Sequence, residues 1–157
     1  MTFGNLSKIG LLAACVAVVI GATPASNKTT IRPFIALMHP GQVTGPQSDP
    51  GESLTAFFQL DEKARTATFT LSDGAPDLFF SIRGPAAPGQ QGAEVAAGPW
   101  TLGPVTVGPL TKSQVKDLKK GRLYLTVQKP SAFPEPQRAV RGQILPIPGV
   151  SYKTTVF

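Results

Sequence analysis

The chain has 157 residues, 41% of them hydrophobic, 8% aromatic and only 15% charged, with a formal net charge of +6. Charge this sparse excludes a charge-rich coiled coil or an acidic disordered tail. The 16 Gly and 16 Pro break too many helices for a helix bundle, yet fall short of the ~25–30% of a structureless chain. One Cys and one His build neither a disulfide framework nor a zinc site, so no metal and no cofactor are expected.

The apolar run from Ile9 to Ala22, preceded by Lys8, is shorter than the ~20 residues of a membrane helix. It fits the ~7–15 of a signal-peptide core, and the small residues at Thr23-Pro24-Ala25-Ser26 suit a signal peptidase. Residues 1–25 are therefore expected to be a secretory signal cut after Ala25. The product is then secreted and extracellular, or periplasmic or cell-surface in a bacterium. Two alternatives keep the chain at a membrane. The segment stays uncut as an anchor, or Cys15 is lipidated within the lipobox-like Leu12-Ala13-Ala14-Cys15. Asn27-Lys28-Thr29 is a glycosylation sequon, meaningful at Asn27 in a eukaryotic host. Residues 26–33 read as a short linker.

From Phe34 onward the hydrophobic period is two. Ala67, Phe69 and Leu71 alternate with Thr66, Thr68 and Thr70; Leu123, Leu125 and Val127 alternate with Tyr124, Thr126 and Gln128. Further strands are expected at Phe34–Met38, Leu54–Leu60, Leu78–Ile82, Val140–Leu145 and Val150–Val156. Turn chemistry at Asp61-Glu62-Lys63 and Ser72-Asp73-Gly74 separates them. Gly41–Gly51 and Gly84–Pro99 read as loops. One helix breaks the pattern: Thr111 as N-cap with Gln114 three residues on, Val115 and Leu118 on one face, Lys119 and Lys120 in the last turn, and Gly121 beyond the end. The expected fold is all-β: an antiparallel, immunoglobulin-like sandwich or barrel with one short helix near 111–120. One β domain spans 34–147, and 148–157 is a C-terminal strand or tail.

Charge is segregated. Lys112, Lys116, Lys119, Lys120, Arg122, Lys129, Arg138 and Arg141 are opposed only by Asp117 and Glu135, whereas anions outnumber cations from Ser26 to Thr111. With Arg83, these side chains are the candidate anion-binding residues, facing an anionic polysaccharide or an acidic protein. The competing reading is a solvated helix face with ordinary edge-strand cations. Nucleic acid is not expected, because no aromatic platform interleaves with the cations. His39 before Pro40-Gly41 reads as a turn residue. A hydrolase would need two facing carboxylates or a nucleophile with its base, and no segment suggests either. The first expectation is thus a non-enzymatic binding or structural module. The alternatives are a small extracellular hydrolase on the same sandwich, and a membrane-tethered surface protein.

Three stretches carry a family likeness. Ser81-Ile82-Arg83-Gly84-Pro85-Ala86-Ala87-Pro88-Gly89 with Gly92 resembles the central motif of the chordin-type CHRD domain. Leu110-Thr111, Gln114, Val115 and Leu118, followed by Gly121-Arg122-Leu123-Tyr124-Leu125-Thr126-Val127, resembles its helix and tyrosine-bearing strand. Arg141-Gly142-Gln143-Ile144 resembles its closing strand. The resemblance covers Phe34 to Ile147 and implies an extracellular all-β domain without a catalytic role. The family's His-Ile-His is replaced by Ser81 and Arg83, and its later His by Gln128. Any metal-binding role, including a superoxide dismutase-like site, would have lost its ligands here. Arg83 beside Gly84 is left to pair with a carboxylate or bind an anion.

Overall fold

The computed structural model describes residues 27–43, 53–73, 77–129 and 138–156. The expected signal segment 1–25, with Cys15, lies outside them, as do the side chains of Asn27 and Arg138. Among the described residues, no helix is long and apolar enough to cross a membrane.

The alternating runs become strands. In chain order they are β1 (Asn27–Met38), β2 (Leu54–Asp61), β3 (Thr66–Leu71), β4 (Phe79–Arg83), β5 (Glu94–Pro99) and β6 (Val105–Val107). Helix α1 (Lys112–Lys119) follows, then β7 (Tyr124–Lys129), β8 (Arg138–Pro146) and β9 (Tyr152–Val156). All pairings are antiparallel, in the order β5-β4-β7-β8-β1-β2-β3-β6, with β9 added to β1. The sheet curls into a nearly closed barrel, so the expected all-β class with one short helix holds.

The inward side chains of each strand make one core. Phe34, Phe58 and Phe69 lie opposite one another across β1, β2 and β3, all buried. Phe69 is the hub: its ring stacks on Phe58 at 4.9 Å, meets Phe80 of β4 edge-on at 5.1 Å and lies 5.8 Å from Trp100. These contacts tie the β1–β3 side of the barrel to the β4 side, where area burial and ring geometry both favour the closed form. Trp100 follows β5, and its backbone N–H donates to the Leu78 carbonyl at 2.7 Å.

Helix α1 starts and stops as its sequence predicts. Gln114 N–H donates to the Thr111 hydroxyl at 3.1 Å, and Thr111 N–H donates to Gln114 Oε1 at 2.8 Å, a complete capping box. At the other end Gly121 takes a left-handed φ of 65°. There Gly121 N–H reaches the Leu118 carbonyl at 3.0 Å and Arg122 N–H the Asp117 carbonyl at 2.9 Å, a Schellman closure. The apolar contact that usually accompanies this motif is replaced by an Arg122–Asp117 ion pair.

Three expectations are corrected. Residues 27–33, expected as linker, are the first half of β1: Asn27 to Ile31 pair with Val156 to Tyr152. Polar Asn-Lys-Thr-Thr shows no alternation, because ladder hydrogen bonds and one buried Thr29 hydroxyl, donating to Asp61 at 2.5 Å, hold it. The expected loop 84–99 ends in strand β5, paired with β4; its Ala, Gly and Pro are too small to show a hydrophobic period. Strand β6 was not expected, being three residues long.

Candidate functional site

The β4-β7-β8 face that looks away from the core carries the motif residues quoted above. Antiparallel register sets them in rows. Ser81, Thr126 and Arg141 form one row; Arg83, Tyr124 and Gln143 form the next. Gln128, opposite Phe79 and Ala139, continues the face one row further and is exposed. The three stretches, far apart in sequence, thus meet on one patch.

The loop from Gly84 to Ala93 folds over that patch as a flap, and the patch grips it. Arg141 is 4% exposed and Tyr124 2%. The Arg141 guanidinium lies 3.5 Å over the Tyr124 ring centre and donates to the Gln90 carbonyl of the flap. The Tyr124 hydroxyl accepts from Gly92 N–H at 3.1 Å. Gln143 Nε2 donates to the Ala86 carbonyl at 3.1 Å and to the Gly121 carbonyl at 2.7 Å, joining flap to helix end. The flap closes on itself at its glycines. Gly84 has φ +146°, and a Cβ there would stand 2.6 Å from the Arg122 carbonyl. A Cβ on Gly92 would stand 2.5 Å from Gly84 Cα. A buried cation stacked on a ring is worth ~2 kcal/mol, and its charge-assisted hydrogen bond ~1.5–3 kcal/mol.

Beside the flap the surface is hollow. A groove of about 620 Å³ runs between the flap tip at Pro88-Gly89 and the 3₁₀ turn Pro40–Gln42. Ile35, Leu37 and Leu145 line it, with Arg141 and Gln143 along its polar side. His39 caps the 3₁₀ turn, its Nδ1 accepting from Gly41 N–H at 3.1 Å, in keeping with its reading as a turn residue. A smaller polar pocket of about 130 Å³ adjoins, lined by Ser81, Arg83, Tyr124, Thr126, Arg141, Gln91 and Val43. Arg83 reaches Glu94 with Nη2 at 3.3 Å. Its Nε is buried and meets no hydrogen-bond partner among the described residues; such a donor costs ~1–3 kcal/mol when left unpaired.

The candidate anion-binding residues do not form one surface. Arg141 is inside the flap clamp. Arg122 is paired with the buried Asp117, and Lys119 with Glu62 at 2.7 Å. Lys112 and Lys116 on α1, and Lys120 at its C-cap, remain exposed, with no ion pair among the described residues. Lys129 lies at the far end of β7, five residues and so ~17 Å along the strand from Tyr124.

Two carboxylates at the β2–β3 turn sit below the ordinary carboxylate range. For Asp61, burial works against the charge. The Thr29 hydroxyl and the backbone N–H groups of Ala64 and Lys63, at 2.9 and 2.8 Å, outweigh it. For Glu62 the Lys119 ammonium is the main cause; burial opposes it and the Arg32 guanidinium at 2.9 Å adds to it. This acidic turn is bound to the helix and to β1, and presents no second carboxylate facing a cleft.

The groove residues were the part that sequence reasoning missed. A signal existed in β1: Ile35 and Leu37 alternate with the core residues Phe34, Ala36 and Met38, so both faces of that stretch are apolar. Set against family models, against curated proteins and against solved structures, the chain matches none.

Proposed function

We propose that this chain is an exported, non-enzymatic binding module of the CHRD type, and that α1 holds an anionic polysaccharide. The observation that carries the reading is the row Lys112, Lys116 and Lys120. Spaced four residues apart, they sit about 6 Å apart along the exposed helix flank and are free of ion pairs among the described residues. Lys119 and Arg122 border them, each facing one acid. A flexible polymer bearing regularly spaced charges can follow such a row. Export rests on the Ile9–Ala22 segment and the small residues after it. Support for a non-catalytic role comes from the acids. Asp61, Glu62, Glu94 and Asp117 each face a hydroxyl or a cation of the protein itself, which is unlike a facing catalytic pair.

The test is retention of the purified chain on immobilised heparin. Retention is expected, weakening as salt rises past ~0.1 M, where the screening length is ~10 Å. The triple variant Lys112→Gln, Lys116→Gln, Lys120→Gln is expected to elute near the void. Elution of that variant with the wild type would overturn the reading. Retention on polyglutamate but not on heparin would transfer it to an acidic protein partner.

A further inference from the structure

We infer that the pocket beneath Arg83 is a second, separate site, which takes the carboxylate of a small amphipathic acid while the adjoining groove takes that acid's apolar body. The pocket comes first. Two guanidiniums, Arg83 and Arg141, border a volume of about 130 Å³, with the Ser81 and Thr126 hydroxyls in the row between β4 and β8. No carboxylate lines it. Glu94 touches Arg83 only at Nη2, from an exposed position, so most of the five guanidinium donors are left for another acceptor. Arg141 already gives one donor to the flap carbonyl of Gln90. The positive charge on offer therefore suits a monoanion better than a phosphate dianion. The volume suits a planar two-oxygen head.

The groove supplies the other half of the ligand. It shares Arg141 and Val43 with the pocket, so the two spaces adjoin. Its floor is apolar where a barrel exterior is ordinarily polar. Ile35 and Leu145 are direct cross-strand partners, Phe57 extends the row on β2, and Leu37 is 63% and Leu145 50% exposed. Large side chains left in water beside a cationic pocket are covered most favourably by a ligand with matching halves. A neutral lipid would leave the guanidiniums unanswered, and a free inorganic anion would leave the leucines wet. About 620 Å³ falls in the ~300–1,000 Å³ range of small-molecule sites.

The experiment is calorimetric titration of the full chain with decanoate, kept below its micelle concentration, alongside acetate and decanol. Decanoate is expected to bind at least about tenfold more tightly than either, and octanoate about fourfold more weakly per methylene removed. Arg83→Gln should weaken decanoate about tenfold and leave decanol unchanged. Leu37→Ser should weaken decanoate and leave acetate unchanged. Glu94→Gln should act in the opposite direction and tighten decanoate, because it frees Arg83 of its competitor. This gain of affinity cannot arise from misfolding. None of these variants is expected to alter heparin retention, which separates this site from the helix row. Decanol binding as well as decanoate, Arg83→Gln binding decanoate like the wild type, or no binding of decanoate at all would overturn the inference.

Discussion

The molecule uses cations in two contrasting ways. On the flap side, Arg141 is buried, stacked 3.5 Å over Tyr124 and bonded to a flap carbonyl. On the helix side, Lys112, Lys116 and Lys120 stand in water. Both groups belong to one basic stretch of sequence, and charge counting treats them alike. The structure separates them by environment. A guanidinium brought indoors with a ring and a carbonyl organises the protein, since a planar fork can satisfy both at once. An ammonium outdoors organises nothing within the chain and is left for a partner.

Substituting each kind sharpens the contrast. Arg141→Met keeps the side chain's bulk but removes the ring contact and the bond to Gln90. The expected cost is ~2–3 kcal/mol in denaturant unfolding. Faster amide exchange should be concentrated in residues 84–93, because Tyr124 and Gln143 then hold the flap alone. Lys116→Met should change stability by less than ~0.5 kcal/mol. Equal effects from the two would erase the distinction between an organising and a recognising cation.

How much of this was legible beforehand depends on the side chains involved. The strands with Phe, Leu and Val alternating with Thr were readable, because one face is core and the other is solvent. So was α1, whose cap residues Thr111, Gln114 and Gly121 announce its ends. Strand β5 was not, since Ala96, Ala97 and Gly98 carry too little apolar surface to set a period. The clamp was half legible. The resemblance picked out Arg141, Tyr124 and the glycines as a set, but only the register of β4, β7 and β8 shows that they lie side by side. How the basic residues divide between faces was not legible for the same reason: sequence proximity of Arg122, Lys129 and Arg141 says nothing about which faces they take.

The helix side should be robust to losing one structural feature. Thr111→Ala removes the hydroxyl that accepts from Gln114 N–H and is expected to cost ~1 kcal/mol. That is less than the clamp, because water can replace the hydroxyl at an exposed helix start whereas nothing replaces Arg141 beneath the flap. Thermal melts of Thr111→Ala and Arg141→Met side by side check the order. A larger loss from Thr111→Ala would mean that the helix, and not the clamp, secures this end of the barrel.

A smaller effect than loss of the cap is expected where the helix is tied to the sheet. Glu62 bridges Lys119 of α1 and Arg32 of β1, and its carboxyl is held below the ordinary range chiefly by Lys119. A carboxyl whose folded pKa is depressed stabilises the fold above its unfolded value, ~4.3 for Glu. That contribution is lost as pH falls from about 5 through the folded pKa. Asp61, held low by Thr29 and the turn backbone against the opposing effect of burial, acts in the same direction from ~3.9 downward. Stability is therefore expected to fall with acid below about pH 5. Glu62→Gln should flatten the upper part of that fall and alter stability near neutrality by less than ~1 kcal/mol, since the bridge is partly solvated. Added salt should reduce the Glu62 share and spare that of Asp61, whose partners are hydroxyl and amide donors. An unchanged acid slope in Glu62→Gln would show that the bridge adds nothing to the hold of the Leu118 core contact and the Gln143–Gly121 bond.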